Sequence, residues 1–194
     1  MDEDREHRAI RLFKEAYNLQ MKGELDAAVK LYKQSIENYP TAEAYTFLGW
    51  TYSFMGRLDD AIAECHKAID VDPTFGNPYN DIGAYLLQKG EPDEAIPWLE
   101  RALHAPRYAS YHFAHMNLGR AYESKRDWLH AKSEYEKALE IEPEQPAIHR
   151  NLGLVLATTG RTSDAILHLR KVLQYQPNEP VAREMLDTLG DRNR

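Results

Sequence analysis

The sequence predicts an all-α solenoid: five antiparallel helix pairs stacked in order and closed by one capping helix. Three observations carry this. The chain repeats itself, with Ala28, Ala61, Ala95, Ala131 and Ala165 spaced by 33, 34, 36 and 34 residues, and Gly49, Gly83, Gly119 and Gly153 by 34, 36 and 34. Each copy carries two apolar stripes at helical spacing, separated by a glycine-type turn. Pro40, Pro73, Pro143 and Pro177 close four of the copies at the same place. One helix pair cannot bury its apolar face alone, whereas stacked pairs share a continuous core.

The period divides the chain into units 9–41, 42–75, 76–111, 112–145 and 146–179. Residues 1–8 read as a frayed turn ahead of the first unit. The fourth unit shows the pattern most plainly. Phe113, Met116, Leu118, Ala121 and Tyr122 form the first stripe, Asp127 marks the turn, and Ala131, Tyr135, Ala138, Leu139 and Ile141 form the second. The second helix should stop before Pro143, because proline disfavours α geometry in the residue ahead of it. Gly23, Gly56, Gly90 and Gly160 keep step at the turns, with Arg126 standing where the fourth glycine belongs. The glycines on the first helices and the alanines on the second let the paired helices approach closely, with Ala16 in the glycine's place in the first unit. The third unit departs from its neighbours: Pro97 lies inside its second helix, and its closing segment, Ala105-Pro106-Arg107-Tyr108, is two residues long in excess. That reads either as a tolerated insertion or as a bend presenting Tyr108, Tyr111, His112 and Phe113 as a surface. Residues 180–190 read as the capping helix, with Pro180 suited to its first turn and Gly190 to its stop.

A period near 34 with a Leu-Gly pair, a later alanine and a closing proline resembles the tetratricopeptide repeat (TPR) family. The resemblance covers residues 9–190. It implies one domain over 1–194 folded as a right-handed α-α superhelix whose first helices line a concave groove. A finer likeness lies in Asn80–Gly119, which resembles the middle of the type IV pilus pilotin family, where a long unit ends in a Pro-x-Tyr loop before an Asn-Leu-Gly helix. Pilotins are exported lipoproteins acylated on an N-terminal cysteine; the single cysteine here is Cys65.

Composition narrows the function. Lys plus Arg number 24 against 31 Asp plus Glu, a net charge of −7. Such a balance does not supply the basic footprint that nucleic-acid binding needs. One cysteine allows neither a disulfide framework nor a Cys-x-x-Cys metal knuckle. The opening MDEDREHR has no apolar core of a signal peptide, and apolar runs of about five residues are far short of a membrane span. The expectation is a cytoplasmic protein without membrane insertion, or a periplasmic one if a leader had been removed.

Signs of catalysis are few. The glycines are spaced by whole repeats, so no phosphate-cradling Gly-rich loop is present. Ser110 and Ser163 lack a nucleophile elbow. His112 and His115 share a helix face without a third ligand, and His115 and His149 occupy the aromatic column of Tyr45 and Tyr79. Cys65 falls in the packing column of Tyr32, Leu99, Tyr135 and Leu169. The reading is a non-enzyme without cofactor or metal.

The resemblance then assigns a binding surface. The groove columns hold Phe13, Lys14, Tyr17 and Met21; Phe47, Trp50 and Phe54; Asn80, Asp81 and Ala84; Met116, Asn117 and Arg120; and Arg150, Asn151 and Leu154. From these, Phe13, Tyr17, Phe47, Trp50, Asn80, Asn117, Arg120, Arg150 and Asn151 are the candidate partner-binding residues. The columns where some TPR modules clamp a chaperone's C-terminal carboxylate read Phe13, Tyr17, Phe47, Asn77 and Asp81, so that clamp is missing. The expected partner is a protein or peptide offering an acidic group or C-terminal carboxylate to Arg120 and Arg150, with aromatic anchoring at Tyr17, Phe47 and Trp50. The alternatives are a self-assembling scaffold, a homo-oligomer, and a pilus or secretion assembly factor like the pilotins.

Overall fold

The structure is a computed structural model that describes residues 2–191. Among them the regular structure is helical throughout, and the chain forms two compact units, 1–109 and 110–194. The first holds α1 (Asp2–Met21), α2 (Leu25–Asn38), α3 (Ala42–Phe54), α4 (Leu58–Val71), α5 (Asn77–Lys89) and α6 (Pro92–His104). The second holds α7 (Tyr111–Ser124), α8 (Trp128–Ile141), α9 (Pro146–Thr158), α10 (Thr162–Tyr175) and α11 (Pro180–Asp191). α1, α3, α5, α7 and α9 are the first helices of the five pairs, and each packs most extensively on the even-numbered helix that follows it, while α11 packs on α10.

The turns explain the glycine column. Gly23, Gly56, Gly90 and Gly160 adopt φ between 75° and 80°, and Arg126 takes the same left-handed region at φ 59°. In all five turns the next residue's amide reaches back five positions, as in Glu24 N to Leu19 O and Asp127 N to Tyr122 O, both at 2.9 Å. This is the Schellman closure that a left-handed residue permits. The second helices end in non-helical residues ahead of proline: Tyr39 and Asp72, which are extended, and Glu142 and Gln176.

The second small-residue column is steric. A Cβ on Gly83 would sit 2.5 Å from the Leu99 side chain, and one on Gly119 would sit 2.5 Å from the Tyr135 ring. Ala28, Ala61, Ala95, Ala131 and Ala165 are fully buried opposite them. At α11 the matching position is Asp187, which is exposed. Ala182 and Leu189 face α10 and join the core of the second unit.

Three expectations need correction. The residues expected to fray are helical: α1 starts at Asp2, where early acidic residues suit the positive end of a helix dipole. Arg5 ties this extension down by donating to Glu37 O at 3.1 Å. Tyr108 is not a surface residue. It is buried over Gly76, while the segment before it pairs with the 72–76 loop through Arg107 N to Thr74 O (2.8 Å) and Gly76 N to Arg107 O (3.0 Å). The extra residues are thus spent on a clasp, with the Arg107 side chain on Asp72 and Glu43 and over the Phe75 ring. Ile141, placed in a core stripe, is exposed. Pro97 leaves α6 unbroken and lies on its solvent side.

Candidate functional site

In the first unit the helical repeat of α3 puts Ala44, Leu48, Thr51 and Tyr52 into the core and leaves Phe47 and Trp50, three residues apart, on one flank. Phe47 is the centre of a ring cluster. Its centroid lies 5.1 Å from Phe13, 5.7 Å from Tyr17 and 4.7 Å from Trp50, while Phe13 also meets the buried Tyr32 at 5.5 Å. Phe13, Phe47 and Trp50 are half-buried, Tyr17 is exposed, and Met21 and Phe54 extend the apolar surface at 69% and 65% exposure.

Behind the rings sits Asp81 on α5. Trp50 Nε1 donates to its Oδ2 at 2.5 Å, and the Asn80 side-chain amide donates to its Oδ1 at 3.3 Å. Burial pushes the carboxyl up to about 7, against the pull of those two hydrogen bonds. Five predicted residues, Phe13, Tyr17, Phe47, Trp50 and Asn80, therefore share this unit, and all but Asn80 belong to the ring cluster. Asp81 was in a groove column yet not among the chosen residues. Only its contact with Trp50, a repeat away, marks it out.

The second unit holds Asn117, Arg120, Arg150 and Asn151. Asn117 is buried, and its Oδ1 accepts from Arg120 Nη1 at 3.2 Å, one helical turn on. The buried Tyr135 hydroxyl donates to Glu123 at 2.6 Å, with Arg120 and Asn151 beside it. These groups border a hollow of about 390 Å³ lined by Arg120, Glu123, Ser124, Arg126, Trp128 and Asn151. Arg150 has a different partner: it donates to Glu179 Oε1 at 3.3 Å, while Glu179 Oε2 accepts from Ala182 N at the start of α11.

The histidines predicted as packing residues also make polar contacts. His115 Nδ1 meets Glu134 at 2.7 Å, and Lys137 bonds the same carboxylate. Burial pushes the Glu134 carboxyl up, but these two partners outweigh it and the net shift is downward. His149 Nε2 lies 2.8 Å from Pro143 O and its Nδ1 2.8 Å from His168 Nδ1. A carbonyl only accepts, so His149 carries its proton on Nε2 and accepts from His168 through Nδ1. Burial depresses both imidazoles, His168 to about 4. Cys65 is fully buried, and burial raises its thiol well above the usual range. Among the described residues no three His, Cys, Asp or Glu side chains are grouped to hold a metal ion, and no helix is long and apolar enough to cross a membrane.

Comparison with known proteins settles the repeat. Tetratricopeptide repeat profiles match residues 12–42, 42–75, 79–105 and 114–180. The chain belongs to the TPR family. Among TPR-containing relatives, the anaphase-promoting complex subunit CDC16 of Saccharomyces cerevisiae is 27% identical over 92% of this chain, which spans 22% of that protein. The type IV pilus assembly protein PilF of Pseudomonas aeruginosa is 28% identical over 76% of this chain and 59% of its own length. The crystal structure of PilW, a type IV pilus biogenesis factor, superposes with a TM-score of 0.85 at 17% identity, over 94% of this chain and 86% of its own. The chain thus spans only part of the curated relatives it matches. TPR proteins mediate protein–protein interactions.

Proposed function

We propose that this TPR protein is a non-catalytic adaptor that holds a peptide or a partner protein on the flanks of its first helices. The observation that supports this best is the ring cluster of Phe13, Tyr17, Phe47 and Trp50, which continues into the exposed Met21 and Phe54. Aromatic and arginine side chains dominate interface energetics, and a pre-built scaffold loses little entropy when it binds. The amide–arginine hollow of the second unit adds a polar subsite. There Arg120 would fork a carboxylate and Asn151 would bond the neighbouring main chain, a finer reading that rests on the chemistry of the two side chains. CDC16 is, by name, a subunit of the anaphase-promoting complex and PilF a type IV pilus assembly protein, which favours a partner connected with a multiprotein assembly.

The test is affinity capture of the partner from the source cell followed by two variants. Tyr17→Ala, at an exposed position, should weaken binding by about 1 kcal/mol or more with melting unchanged. Arg120→Glu with Arg150→Glu should abolish the salt-dependent part of binding. Wild-type affinity and an unchanged salt slope in the double variant would leave recognition to the aromatic face alone.

A further inference from the structure

The first unit contains a hollow of its own, between the start of α1 and the α2–α3 junction, with Phe13 in its wall. Its volume is about 260 Å³, and its walls are Ala9, Ile10, Phe13 and Tyr39. Ile10 and Tyr39 are 46% and 44% exposed, so two large apolar side chains border an opening rather than closing it. The polar atoms of the floor are already engaged. Ser35 Oγ donates to Ala9 O at 2.8 Å, and Thr41 Oγ1 accepts from Ala44 N at 3.1 Å as the cap of α3. The charged side chains that line it are Glu6 on α1 and Glu43 on α3. Arg107 already reaches Glu43 from outside the hollow, at 2.9 Å, which shows that this carboxylate accepts a guanidinium while both side chains stay about half exposed.

We infer that this hollow receives an apolar side chain of a partner protein's linear segment, flanked on that segment by lysine or arginine. The apolar walls select a Leu, Ile, Phe or Met anchor, since the engaged floor offers a polar anchor no compensation for desolvation. The rim carboxylates select cationic flanks and oppose acidic ones. The preference is therefore opposite in charge to that proposed for Arg120 and Asn151, and it stands or falls separately from that reading. The chain's overall charge of −7 reinforces it by drawing a basic segment in.

The probe is a fluorescein-labelled, C-terminally amidated peptide, Gly-Ser-Lys-Arg-Leu-Phe-Lys-Arg-Ser-Gly, read by fluorescence anisotropy and by backbone amide shift mapping on the full chain. Amidation removes the carboxylate that the arginine hollow would take. Binding should shift amides of α1 and the α2–α3 junction. Ile10→Asp, at an exposed position, should weaken binding by about tenfold with helicity unchanged. Glu6→Lys should weaken it by about threefold and flatten its salt dependence. Arg120→Glu with Arg150→Glu should leave it unchanged. The inference is overturned if Ile10→Asp binds as tightly as wild type, if a peptide with glutamates in place of its basic residues binds equally, or if the shifts fall elsewhere.

Discussion

Arg126 holds a backbone conformation that its four counterparts reach with glycine. An L-residue there places Cβ near the carbonyl oxygen, at a cost of about 1–2 kcal/mol, while glycine adds flexibility to the unfolded chain worth about 0.4–1 kcal/mol. The difference favours glycine. Arg126→Gly should raise stability by about 0.5–1 kcal/mol, seen as a higher denaturant midpoint at unchanged slope. An unchanged or lower midpoint would mean that the Arg126 side chain, which borders the polar hollow, contributes packing that offsets the strain.

Helix pairing is governed by the glycine column more than by helix propensity. Replacing glycine by alanine in a helix interior normally stabilises by about 1 kcal/mol. At Gly83 the new methyl would meet Leu99, which is fully buried between α5 and α6 and has nowhere to move. Overpacking of this kind costs about 1–3 kcal/mol. Gly83→Ala should therefore destabilise on balance, and equilibrium unfolding in urea should show a lower midpoint; a gain would mean that the α5–α6 pair separates at little cost. The same reasoning explains why Pro97 is tolerated: it lies on the outer side of α6, away from the close approach.

Across the whole molecule, the two units carry buried titratable groups that respond to pH in opposite directions. Asp81 in the first unit has a folded pKa raised to about 7 from 3.8. Its contribution to stability is complete below pH 3.8 and is lost as pH rises through about 7, because ionisation charges a buried group. His168 in the second unit has a folded pKa lowered to about 4 from 6.5, by burial first and then by His149 and Lys171, with Asp164 and Glu136 opposing. Its contribution is complete above pH 6.5 and is lost as pH falls toward 4. The Asp81 shift corresponds to roughly 4 kcal/mol, while the His168 shift is shared between two coupled, partly solvated imidazoles and is worth less. Hydrogen exchange on the full chain, corrected for intrinsic rates, should show α3 and α5 less protected and α9 and α10 more protected at about pH 7 than at about pH 5. Asp81→Asn should remove the first trend and His168→Asn the second. Parallel trends in both units would refute the assignment.

Sequence by itself determined the helix pairs and their turns, because both rest on local physics that recurs every 34 residues or so. The left-handed turn needs glycine, the residue before proline leaves the helix, and apolar stripes follow the 3.6-residue period. The aromatic character of Phe13, Tyr17, Phe47 and Trp50 was legible for the same reason, since matching columns bring side chains from successive first helices together. Tertiary structure alone decided what each polar group does. Asp81 becomes a buried acceptor only because Trp50 comes from another helix pair. Arg150 finds Glu179, from the loop ahead of α11, as its partner within the chain. Tyr108, which one of two readings put at the surface, is buried because Arg107 pairs the inserted segment with the 72–76 loop, and residues 2–8 are helical because Arg5 finds Glu37. Periodicity fixes which face a residue occupies; the partner of a charge depends on distances between residues that the period does not relate.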